Sequence, residues 1–120
     1  MNIFPFLPNL HPILWGGSRI STWKGFPFAD GIGESWEVCG LKKSPSVIAD
    51  GEFKGQQLCD VIAQHPVEIL GSAVAKKYHN QLPLLAKFID AKQDLSIQVH
   101  PNDEYALKHE NGSLGKAECW

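Results

Sequence analysis

The sequence runs to 120 residues with three cysteines, eight prolines, eleven glycines and a formal net charge of −2 at pH 7. That length suits one domain, residues 1–120, with a modest core, and is too short for two. The near-neutral charge gives no electrostatic case for nucleic acid or an acidic membrane surface. No apolar run is long enough to span a bilayer, and the opening Met-Asn-Ile-Phe-Pro-Phe lacks the basic region and apolar core of a signal peptide. Cys39, Cys59 and Cys119 are an odd set with no Cys-x-x-Cys pair, which argues against a disulfide framework and fits a reducing, cytoplasmic setting. The prolines, glycines and short apolar runs favour strands and turns over a helical bundle.

Residues 1–17 hold Pro5, Pro8, Pro12, Gly16 and Gly17 and read as an extended arm. Leu10, Ile13, Leu14 and Trp15 give it an apolar side expected to lie on the body of the domain. The stretch 18–33 is loop-like around Gly25, Pro27, Gly31 and Gly33, with a helical turn from Ser21 to Lys24. Gly33–Cys39 alternates like a strand, with Glu34, Trp36 and Val38 on one face and Ser35, Glu37 and Cys39 on the other. Both glutamates are expected on a solvated face, because a carboxylate turned inward beside Trp36 is costly unless paired.

Pro45–Gly55 predicts a hairpin turning at Asp50-Gly51. Leu58, Val61 and Ile62 recur at helical spacing up to Pro66, a further turn runs from Pro66 to Gly71, and Ala73–His79 is short and amphipathic. His65 and His79 read as surface histidines. Leu82–Ala91 is the longest apolar run and suits a buried strand. Lys87 interrupts it, and two readings stay open: the stem snorkels to water, or the ammonium meets a phosphate or hydroxyl group.

Asp94–Pro101 predicts a strand with two opposed faces, Leu95, Ile97 and Val99 on one and Ser96, Gln98 and His100 on the other. Asn102, Asp103 and Glu104 open a helix that Asn111-Gly112 closes, with His109 in its last turn. Gly115–Trp120 predicts the start of another strand, Lys116, Glu118 and Trp120 sharing a face. Gln98, His100 and Glu118 are the metal candidates. Imidazole and carboxylate are ordinary zinc ligands and an amide oxygen is a rarer one. Taken alone the set carries little specificity, since one His and one Glu eighteen residues apart are common.

Leu14-Trp15-Gly16-Gly17, Gly33-Glu34-Ser35-Trp36-Glu37, Leu84–Asp90, Ser96-Ile97-Gln98-Val99-His100-Pro101-Asn102-Asp103 and Gly115-Lys116-Ala117-Glu118-Cys119-Trp120 together resemble type I mannose-6-phosphate isomerase (phosphomannose isomerase) over nearly the whole chain. The resemblance implies a mainly β, cupin-like jelly-roll barrel with short helices and zinc inside it. It also implies interconversion of mannose 6-phosphate and fructose 6-phosphate by proton transfer between C1 and C2. Gln98, His100 and Glu118 match the family's zinc ligands, and Lys116 matches a lysine lining the substrate pocket. Trp15, Glu34, Lys87 and Ser96 match other pocket positions. Lys116 and Glu34 are the candidate catalytic groups, with Glu34 a possible carboxylate base and a water on the metal the other. The family's further histidine ligand and pocket arginine fall beyond Trp120. None of His11, His65, His79 or His109 sits in a motif that replaces that histidine, so the chain reads as the N-terminal part of the fold. Such a part is expected to be weakly active or inactive alone and to self-associate through unpaired strands.

The partner expected is a sugar phosphate, with no nucleic acid and no membrane. The alternative is a non-catalytic cupin-like module that binds a sugar or a metal. A metal-dependent oxygenase on the same fold fits less well, because it wants two histidines with a carboxylate and only His100 is well placed.

Overall fold

In the computed structural model, which describes residues 3–26 and 31–120, three of the alternating runs pair into an antiparallel sheet of order β1-β2-β3. The strands are β1 (Leu10–Gly17), β2 (Ile32–Cys39) and β3 (Leu85–Ile89). The sheet is open, not a closed barrel. β1 loses regular register after His11 and again after Pro12, as expected where proline removes a ladder donor. Five short helices complete the described residues: α1 (Arg19–Trp23), α2 (Leu58–Gln64), α3 (Pro66–Leu70), α4 (Ser72–Lys77) and α5 (Asp103–His109).

The core lies where α2 meets the turn region before it. Ile48, Leu58, Val61 and Ile62 are buried together with Cys39 and Ala75. Ser46 fixes this layer to β2: its hydroxyl accepts the Cys39 N–H at 2.9 Å, and its carbonyl accepts the Leu58 N–H at 2.8 Å. Helix α1 has no cap from its own sequence. Asp90, just past β3, supplies one from across the fold, its Oδ2 accepting the Arg19 N–H at 2.6 Å and the Ile20 N–H at 3.2 Å. A buried carboxylate is thereby satisfied by the free donors of a helix start.

Several expectations need correcting. Leu14 is fully exposed, so the packed side of the arm is Ile13 and Trp15. Asp50-Gly51 does not close a two-residue hairpin. Ile48 pairs with Gln56 instead, and a wider turn runs through Gly51 and Gly55, both in the left-handed region. The loop expected across Pro27 lies partly outside the described residues. Neither Asp94–Pro101 nor Gly115–Trp120 forms a strand. Ile97 and Val99 are 101% and 93% exposed, so the alternation is present in the sequence but has nothing to pack against. Among residues 92–120 only Ala106 is buried, and the radius of gyration of 16.0 Å exceeds the roughly 13.6 Å of a compact chain this long.

Candidate functional site

One face of the sheet carries an aromatic and charged cluster. His11 on β1 pairs across from Glu34 on β2, and Trp36 on β2 pairs across from Lys87 on β3. Paired residues share a face, as do residues two apart on one strand, so all four side chains project together. Lys87 Nζ donates to Glu34 Oε1 at 2.7 Å, and Trp36 Nε1–H donates to Glu34 Oε2 at 2.7 Å. The side chains of Lys87 and Glu34 are 21% and 13% exposed. Glu34 is therefore not on a solvated face, and Lys87 ends on a carboxylate. Burial alone would raise the Glu34 pKa, but the bonds from Lys87 and Trp36 and the lysine charge outweigh it and hold the carboxyl below the ordinary glutamate range. His11 stacks on Trp36, ring centroids 4.0 Å apart. Trp15 lies over Gly33, where a Cβ would come within 2.7 Å of the indole Cζ3. Only a glycine there admits the ring.

The second cluster is built by a close approach of two segments. A Cβ on Gly115 would come within 2.5 Å of the Asn102 carbonyl carbon, so the missing side chain lets residue 115 lie against the start of α5. Two bonds hold it there: Gly115 N–H to Asp103 Oδ1 at 2.8 Å and Lys116 N–H to the Pro101 carbonyl at 3.1 Å. Asn102 caps α5 by accepting the Tyr105 N–H at 2.9 Å. The outcome is that His100 Nε2 lies 2.9 Å from Glu118 Oε2, the ring N–H donating, while Lys116 Nζ lies 2.8 Å from Glu118 Oε1. Hydrogen bonds from Lys116 and His100, helped by their charge, hold the Glu118 pKa down at about 2. Gln98 donates from Nε2 to Ser96 Oγ at 3.0 Å, which leaves its amide oxygen as the free end.

Of the residues singled out from sequence, His100, Glu118 and Lys116 meet, Gln98 meets Ser96, and Glu34 meets Lys87. Trp15 sits on the sheet at Gly33. Among the described residues no three His, Cys, Asp or Glu side chains converge as a metal cluster. Clefts of about 310 Å³ beside Trp23 and Phe88 and about 240 Å³ beside Cys59 and Leu82 contain none of these residues. Sequence reasoning missed His11 and the polar role of Trp36. The alternation of β2 already put Trp36 beside Glu34, but nothing in sequence reveals the interrupted register that brings His11 across.

The architecture is that of solved mannose 6-phosphate isomerases. The enzyme from Bacillus subtilis superposes with a TM-score of 0.80 at 34% identity, over 93% of this chain and 34% of that one. A zinc-bound mannose 6-phosphate isomerase superposes with a TM-score of 0.74 at 32% identity, over 90% of this chain and 28% of that one. Mannose-6-phosphate isomerase ManA of Bacillus subtilis is 39% identical over 96% of this chain. Residues 3–114 match the model of the phosphomannose isomerase type I catalytic domain, and the chain belongs to that family. It spans 35% of the length of ManA and 34% of the solved Bacillus subtilis enzyme. Among the described residues no helix is long and apolar enough to cross a membrane.

Proposed function

We propose that this chain carries the amide, imidazole and carboxylate side of the zinc site of a mannose-6-phosphate isomerase, within a cupin-like jelly roll of which it forms one part. The observation that carries the reading is the approach of His100 and Glu118 to 2.9 Å from opposite sides of α5. Two ligands at about 2.1 Å from one tetrahedral zinc stand roughly 3.4 Å apart, so the pair needs to open only slightly to share an ion. Glu118 stays ionised to well below neutral pH, as a ligand must. With Nε2 deprotonated, His100 offers its lone pair, and Gln98 offers its amide oxygen. Bound there, zinc supplies Lewis acidity toward a sugar oxygen on which negative charge builds.

The remaining residues fit an aldose–ketose isomerisation. Removal of the proton from C2 of mannose 6-phosphate gives an enediol, and return of a proton to C1 gives fructose 6-phosphate. Lys116 and Lys87 are the cations available to an anionic substrate and to an oxygen on which charge builds. Trp15 offers an apolar wall and Ser96 a hydroxyl. Glu34, with both oxygens engaged and its pKa depressed, suits a fixed charge that orients Lys87 better than a base poised near neutral pH.

The test is zinc analysis combined with a coupled isomerase assay. Stoichiometric zinc that His100→Ala removes supports the reading, and any turnover should vanish with that substitution. A protein that takes up no zinc, or isomerises equally well after chelation, contradicts it. Saturable sugar-phosphate binding with no turnover and no zinc would favour the non-catalytic module.

A further inference from the structure

His11 belongs to no part of the proposed chemistry, yet it is built into the charged face of the sheet. Its ring is stacked on Trp36 at 4.0 Å with an interplanar angle of 28°. The same indole donates to Glu34 Oε2, and the other oxygen of Glu34 takes Lys87. Among the described residues His11 Nε2 is buried without a hydrogen-bond partner. The contact that ties the ring to the cluster is made through its face.

We propose that His11 is a positioning residue for the substrate pocket: its ring clamps the Trp36 indole so that the indole N–H holds Glu34, which in turn aims the Lys87 ammonium. The chain of contacts is continuous, from ring stack to N–H···O bond to ion pair. The groups facing His11 are Glu34 from β2 and Lys87 from β3. Burial, with help from Lys87 and against Glu34, holds its pKa below the ordinary histidine value, so the clamp is an uncharged ring at neutral pH. Phenylalanine has that shape and lacks the stranded nitrogen, so it should replace His11. Alanine should not.

The inference rests on the isomerase reading only in what the pocket binds, and the experiment separates the two. Indole N–H signals of the 120-residue chain are followed by NMR in wild type, His11→Ala and His11→Phe, with Trp36→Phe assigning the Trp36 signal. Wild type should show that signal displaced downfield by its carboxylate acceptor. His11→Ala should move it upfield, while His11→Phe should keep it where wild type has it. Titrating mannose 6-phosphate against the same signal should give a dissociation constant about tenfold weaker in His11→Ala, recovered in His11→Phe. An unmoved indole signal in folded His11→Ala overturns the proposal. So does a His11→Phe protein whose signal moves upfield, which decides the matter should the alanine variant not fold. If the sugar phosphate moves no signal in any protein, the isomerase reading of this face fails while the indole shifts still decide the role of His11.

Discussion

Glu34 keeps a charge on a face where its side chain is only 13% exposed, because one oxygen takes an ammonium and the other an indole N–H. Glu34→Gln should leave Lys87 half-buried without a counter-charge. The expected loss is about 1–3 kcal/mol, read from the urea midpoint, and an unchanged midpoint contradicts the pairing. Acid should act on this face in two windows. Glu34 has its folded pKa below the ordinary 4.5, so its contribution is complete above that pH and is lost as pH falls through the folded value. His11 is held below 6.5. As pH falls below that value the unfolded chain takes the proton first, so stability already declines there. Melting temperatures at pH 7.5 and 5.5 should therefore differ more in wild type than in His11→Phe. An equal difference in the two proteins would show that the ring titrates normally.

At the scale of elements, local patterns were legible and pairings were not. β2, β3 and the helices from Leu58 to Lys77 lie close to where alternation, helical spacing, Pro66 and Gly71 place them. α5 is capped by Asn102, the residue its sequence nominates. Asp90 could not be read as a cap, because its partners Arg19 and Ile20 are seventy residues away. Asp90→Ala should uncap α1 at a cost of about 1–2 kcal/mol, and unchanged melting would show the cap to be idle. Of the candidate site, the sequence offered Gln98, His100 and Glu118 as residue types, and the structure brings His100 to Glu118 while Gln98 meets Ser96. The contact that joins His100 to Glu118 depends on Gly115 nesting against Asn102 and Asp103, which no period in the sequence encodes. Gly115→Ala should weaken zinc binding about tenfold or more, with little change in melting temperature because nothing but Ala106 is buried in that region. Retained affinity would show that this nesting does not build the site.

Across the whole molecule, Asp90 is the last buried residue before Ala106, and the segment carrying Gln98 and His100 presents Ile97 and Val99 to solvent. Exposed alternating apolar residues of this kind can pair with another chain. Sedimentation should show concentration-dependent association, and substituting Ile97 and Val99 with threonine should reduce it. A clean monomer at every concentration would contradict that view. The central claim is that His100 and Glu118 hold one ion between them. Calorimetric titration of zinc into wild type and Glu118→Ala tests it most directly. One equivalent bound by wild type, at least tenfold more weakly by Glu118→Ala, is the predicted result, and identical isotherms for the two proteins would contradict it.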